Sequence, residues 1–444
     1  MKLIQTLQNI WKIEDLRKRL TITFMFIVIY RFGCHVVLPG IDPNQLHDLQ
    51  RFTQNTGLMQ LLDMFSGGAF SQASIFALGI MPYITASIVI QLLGMVMPSF
   101  QKMQREGESG RMKLNQYTRY LTVLILIVQA PAYLINLRVQ VQQAGGHVDF
   151  GPWTMIFLIG VLTAGAMFIM WLGEKITDKG IGNGISLIIF VGIIARFPTA
   201  ISQEFVSRLT NAQGGLVMFL VEIIVLFAVT AGAVMLTQGT RKVPVQYAKR
   251  IVGNKQYGGA RQYIPLKVNA ANVMPIIFAQ ALMFIPITLA GFGAQKSGFL
   301  GTIAATFGDI NGFWYNVVYF LLIVAFTYFY TAITVRPTQM AEEMKKNSGF
   351  IPGIKPGKKT AEYLDSIMSR ITLPGSLFLG LVAIMPAFAR LFGVNQNFAQ
   401  FFGGTSLLIT VGVVLDTLQQ IETHLRMHHY DGLMKSGKIK GRAS

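Results

Sequence analysis

The groups that could do chemistry in this chain are few and poorly placed for it. The single cysteine, Cys34, excludes a disulfide framework, a thiolate metal site and a CxxC redox pair. Six histidines, including His428 and His429 near the end of the chain, form no ligand set and read as solvated residues. Gly180-Ile181-Gly182-Asn183-Gly184 is rich in glycine, but it lacks GxGxxG spacing and a preceding soluble strand, so it does not read as a nucleotide loop. HExxH, GxxxxGK[ST] and GxSxG are all missing. Within the apolar stretches the main ionisable groups are Glu222 and Asp416, and no two carboxylates are paired there. A coupled transporter keeps such groups near mid-membrane, where each is costly unless it is used. Their scarcity argues against coupled transport and against intramembrane catalysis.

The elements that carry these residues are dictated by composition. Of 444 residues 52% are hydrophobic and only 13% charged, with a mean hydropathy of +0.48 and a formal net charge of +18. Soluble chains carry about 25% charged residues. This is therefore the profile of an all-α polytopic membrane protein. Apolar runs long enough to cross the ~30 Å hydrocarbon layer as helices fall at about 20–39, 74–97, 117–137, 152–173, 183–203, 215–236, 271–292, 313–334, 372–390 and 402–421. With the N-terminus in the cytoplasm, only Arg31, Arg51, Arg138, Arg196, Arg208, Lys296 and Arg390 of the 38 Lys and Arg fall in or near external segments. The other 31 are cytoplasmic, and positive residues stay on that side, so both termini are expected inside. The start, Met1 to Leu20, is basic and amphipathic, and no cleavable signal peptide follows it.

Ten spans divide into two groups of five around the polar stretch Ser202 to Gly214, giving halves 1–203 and 204–444. Because five is odd, the second group runs in the opposite sense to the first, the geometry of an inverted repeat. Topology alone therefore also suits an inverted-repeat secondary transporter of a small solute.

Three segments between spans stand out. Leu58, Leu61, Leu62 and Phe65 share one face of a short helix, followed by Ser66 and Gly67-Gly68, within a segment at about 57–72. At ~13 residues it is too short to cross, so it lies on the surface as an amphipathic helix or enters as a re-entrant piece against a cavity. The loop at about 237–270 carries Arg241, Lys242, Lys249 and Arg250 beside the alternation Val243, Val245, Tyr247, with Gly253-Asn254 as a turn: a basic β-hairpin. The loop at about 335–371 holds Pro352-Gly353 and Pro356-Gly357 around Lys355, a rigid turn between two short helical pieces. Both loops either set topology and meet anionic membrane lipids or dock a partner; their length favours docking.

Five strings resemble one family. Phe65-Ser66-Gly67-Gly68-Ala69 with Ala73 to Ile84, Glu106 to Arg111, Gly180 to Ser186, Pro265 to Asn269 and Phe402 to Ile409 are similar, in order, to the SecY family of protein-conducting channels. The resemblance implies two inverted five-helix halves around a central hourglass pore in the bacterial cytoplasmic (inner) membrane. The pore would be stoppered by the short segment, with Leu58, Leu61, Leu62, Phe65, Ser66, Gly67 and Gly68 as the plug. It implies a pore ring of Ile80, Ile84, Ile185, Ile189, Ile277 and Ile409, of which Ile80 with Ile84 and Ile185 with Ile189 are one helical turn apart. Thr85, Gln91, Asn269 and Ile285 would border a lateral gate, although polar residues there also serve as ordinary interhelix glue.

The implied partners are SecE, SecG, the SecA ATPase, the ribosome with its rRNA phosphates, and signal sequences and nascent polypeptides. Docking would fall to Arg241, Lys242, Lys249, Arg250 and Lys355. The family usually has arginine where this chain has Lys355, which keeps the charge and loses the bidentate fork. No cofactor and no catalysis are expected.

Overall fold

The computed structural model describes residues 13–41, 63–143, 151–210, 215–247, 250–252, 255–257, 261–271, 273–293 and 312–435. Two compact units form, one from residues 1–202 with 413–444 and one from 203–412.

The first unit contains α1 (Glu14–Gly33), α2 (Met81–Val96), α3 (Pro98–Arg105), α4 (Glu108–Gln143), α5 (Pro152–Lys179) and most of α6 (Gly184–Thr210). Proline at the first turn opens α2, α3 and α5, where its missing N–H has no intrahelical acceptor to lose. The core here is aliphatic and aromatic: Leu38, Phe70, Tyr133, Leu134, Leu158 and Leu162 pack together. At the start of α6, Ile181 N–H donates to Thr23 Oγ1 of α1 at 3.1 Å and Gly182 N–H to Gln420 Oε1 at 2.8 Å. The glycine-rich string is thus a helix-entry turn, and the first N–H groups of α6 find acceptors beside it: Gly184 N–H donates to Thr177 Oγ1 at 2.9 Å and Ile185 N–H to Asn183 Oδ1 at 3.1 Å.

The second unit contains α7 (Gly215–Gln238), the strands β1 (Thr240–Tyr247), β2 (Arg250–Val252), β3 (Lys255–Tyr257) and β4 (Arg261–Lys267), then α8 (Met274–Gly293), α9 (Phe313–Thr334) and α10 (Pro337–Lys346). It continues through β5 (Gly349–Phe350), α11 (Lys358–Leu391) and α12 (Gln396–Ala399) into α13 (Gly404–Lys435). Helices α9 and α11 approach closely because Gly380 has no side chain; a Cβ there would meet Phe320 Cδ2 at 2.6 Å.

Each of the ten expected spans falls on a helix. Among the described residues seven helices are long and apolar enough to cross a membrane, or eight if the bent pair formed by α2 and α3 counts as one span. The other two expected spans fall on α1 and α8.

Four expectations change in detail. The second span, expected from 74, becomes helical only at Met81, because residues 66–80 form successive turns around an isolated bridge between Val37 and Ser74. The short ~13-residue segment is helical only to Phe65, with turns from Ser66 onward, and Leu58, Leu61 and Leu62 lie outside the described residues. The polar stretch after the fifth span is helical to Thr210. In the second large loop only α10 is a separate helical piece; the other is continuous with the ninth span as α11, 34 residues long with Pro374 and Pro386 inside it.

The basic hairpin is present and larger than expected. β1 and β4 pair antiparallel from Thr240↔Lys267 to Gln246↔Arg261, and β2 pairs with β3 around 253–254. β5, from the other loop, adds to the free edge of β1 through Gln246↔Phe350 and Tyr247↔Gly349. Val243, Val245, Leu266, Met344, Ile351, Leu364 and Met368 form one core beneath the sheet. The two loops are therefore one folded platform within the second unit.

Candidate channel site

After a last helical turn at residues 63–65, residues 66–80 of the first unit form a largely buried, non-helical segment, and its construction follows from its own side chains. Ser66 Oγ donates to Asp63 O at 3.1 Å and accepts from Phe70 N–H at 3.0 Å, while Asp63 Oδ1 accepts from Ser71 N–H at 2.8 Å. These local bonds offer the backbone an alternative to helix, which is why the amphipathic pattern stops here. Gly67 and Gly68 sit at φ +67° and +95°, a region that side chains disfavour. Space demands glycine there too: a Cβ on Gly67 would meet Gly192 Cα of α6 at 2.9 Å, and one on Gly68 would meet Arg196 Nη2 at 3.1 Å.

Three spanning helices hold this segment. From α1, Tyr30 Oη donates to Ser66 O at 3.2 Å and Arg31 Nη1 to Gly67 O at 2.7 Å. From α6, Arg196 pairs with the Asp63 carboxylate and donates to Ser71 Oγ at 2.9 Å. Tyr133 Oη of α4 donates to Phe70 O at 3.0 Å. Burial pushes the Asp63 carboxyl above the usual carboxylate range, against the pull of Arg196 and the hydrogen bonds from Ser71. Sequence reasoning missed Asp63, Tyr30, Arg31 and Arg196 in this role. The legible signal was two arginines on the side of the membrane that the charge census leaves nearly free of them.

The isoleucines singled out above divide between the units. In the first, Ile80, Ile84 and Ile189 are buried and Ile185 half-buried; Ile84 N–H bonds Ile80 O at 3.1 Å, so the pair shares a face. In the second, Ile409 is buried on α13 and Ile277 half-buried on α8. Thr85 and Gln91 are half-buried on α2, where Thr85 Oγ1 donates to Met81 O and Gln91 Nε2 to Ser87 Oγ. Asn269 is buried at the entry to α8, and the backbone of Ile285 lies within that helix.

The basic residues of the platform are exposed where their side chains are described. Arg241 and Lys242 project from β1, and Lys355 stands on the turn after β5, its carbonyl accepting from Thr360 Oγ1 at 3.0 Å. Arg250 contributes backbone to β2, and Lys249 lies outside the described residues.

Glu222, the ionisable group in the sixth span, is not isolated. Arg208 donates to Glu222 Oε1 at 2.5 Å, to Glu204 Oε1 at 2.8 Å and to Gly393 O at 3.0 Å, and Glu204 Oε2 accepts from Asn395 N–H at 2.9 Å. Breaking such a buried pair on one side costs about 3–5 kcal/mol, so the cluster pins the α6–α7 corner to the chain after α11. Its charges are spent on structure. Asp416 lies exposed on α13. Among the described residues no three His, Cys, Asp or Glu side chains are grouped to hold a metal ion.

The comparisons with known proteins agree with one another. The SecY family profile matches residues 74–418. A SecY translocase subunit of Streptomyces scabiei is 45% identical over 433 residues, covering 96% of this chain and 98% of the relative. That of Corynebacterium glutamicum is 42% identical over 441 residues, with the same coverage. Among solved structures, a SecY channel described by a plug domain that stabilises its closed state and maintains a membrane seal superposes with a TM-score of 0.61 at 20% identity. Sec61 from a canine ribosome-channel complex superposes at 0.55 and 18%. Both alignments cover 92% of each chain.

Proposed function

The chain belongs to the SecY family, and from that premise we propose how its residues work as a protein-conducting channel. It translocates unfolded secretory polypeptides across the membrane and releases transmembrane segments sideways into lipid. The small-solute transporter has no support: the relatives are translocase subunits, and Glu222 is committed to Arg208. The single observation that carries the reading is identity of 45% along 96% of the chain with a translocase subunit.

Residues 57–72 act as the plug, and Ile80, Ile84, Ile185, Ile189, Ile277 and Ile409 form the ring that narrows the pore between the halves 1–203 and 204–444. Isoleucine offers no polar atom to water or ions, so such a ring seals by dewetting and yields around a passing chain. Thr85, Gln91, Asn269 and Ile285 border the lateral gate. Hydrogen bonds across such a seam average about 0.6 kcal/mol, weak enough for an apolar guest helix to displace. The chain is a conduit without catalysis, placed in the bacterial inner membrane with both termini cytoplasmic. Energy comes from SecA or from the translating ribosome, and SecE and SecG complete the assembly.

The platform docks the motor. Arg241, Lys242, Lys249, Arg250 and Lys355 present positive charge to acidic protein surface or to rRNA phosphates. Arg241→Glu, Arg250→Glu and Lys355→Glu therefore lower SecA-driven precursor transport while the pore keeps its ion conductance, because Arg241 and Lys355 are exposed and outside the platform's core. Wild-type SecA affinity and transport in all three variants would remove docking from these residues.

A further inference from the structure

Under the topology proposed above, Arg31 and Arg196 are two of the seven positive residues outside the cytoplasmic set, and each is bonded to the same short segment. Among the described residues Arg31 takes a carbonyl, that of Gly67. Arg196 takes a carboxylate: the Asp63 side chain is 6% exposed and the Arg196 side chain 29%. Ser71 closes the arrangement, giving its N–H to Asp63 and accepting from Arg196. Gly68 lies directly beneath the guanidinium, where any side chain would press on it.

Three positions of segment 63–73 then differ sharply in energy. Seated, the two charges compensate each other. Fully released, both are hydrated. Partly displaced, a carboxylate is still buried with no cation beside it, and an uncompensated buried charge is the costliest arrangement available to either group. We propose that Asp63 and Arg196 form an ionic latch that makes release of the plug all-or-none, so that weak apolar segments fail to open the channel by degrees. This rests on the plug reading above.

The native thiol supplies the test. Cys34 is 1% exposed, and its Sγ lies 3.7 Å from Ser66 O, beneath the seated segment. Alkylation of Cys34 by a water-soluble maleimide, in the full chain reconstituted with SecE in liposomes, therefore reports how often the segment leaves. Arg196→Gln strands the Asp63 carboxylate and raises the labelling rate by at least about tenfold. Adding Asp63→Asn to Arg196→Gln brings the rate back toward the wild-type value, since two neutral partners leave no unpaired charge.

A wild-type rate in Arg196→Gln overturns the latch. So does a double variant labelled as fast as the single one, which would give Arg196 a merely structural role. The plug reading fails separately: deleting 58–65 without any change in resting ion conductance would remove the plug, whatever the pair does to Cys34.

Discussion

Replacing Ile80 and Ile409 together by glycine raises the ion conductance of the resting channel by at least about tenfold, while the chain still inserts and folds. Each substitution deletes a side chain proposed to exclude water from the constriction. Folding tolerates the first change because Ile80 is the N-cap residue of α2, a position where glycine is well accepted. The second lies within the 32-residue helix α13, whose other apolar residues remain. Glycine costs about 1 kcal/mol in a helix interior, little against that remainder. Conductance across a planar bilayer measures the effect, and an unchanged value would take both residues out of the ring.

A disulfide between cysteines at 85 and 285, in a chain whose native Cys34 is replaced by serine, blocks precursor transport, and reduction restores it. Thr85 lies on α2 and Ile285 on α8. The gate proposed above would set them opposite each other when closed, and the bond forms only if their Cα atoms come within about 7 Å. A signal helix ~10 Å wide cannot enter a seam held shut in that way. Full crosslinking with transport at the reduced rate would show that chains pass without opening this seam.

Long-range pairing was the least legible feature. Twenty-residue apolar runs were enough to place ten helices, because in hydrocarbon only a helix satisfies its own backbone. The same signal misled between 74 and 80: the run is apolar but rich in turns, because it packs against protein. Gly165 of α5 shows this, since a Cβ there would collide with Ile75 O. The alternation around Val243 and Val245 revealed β1, yet β5 is two residues long and carries no pattern to read. Arg196 and Asp63 are 133 positions apart, beyond any local periodicity. Arg31, Arg196 and Arg208, all counted as external, turn out to hold a buried segment or a buried corner. An exception to the positive-inside rule was thus the best clue to these sites. The ring isoleucines have no such clue; among so many apolar residues only the family resemblance selects them.

The central claim is that this chain conducts polypeptide, and protease protection tests it most directly. The full chain is reconstituted with SecE in liposomes, supplied with SecA, ATP and a signal-bearing precursor, and then treated with protease from outside. The account predicts precursor that survives protease, needs both ATP and an intact signal sequence, and becomes degradable once detergent opens the vesicles. Complete degradation with the chain present and correctly inserted, or protection equal to that of liposomes lacking it, would contradict the account.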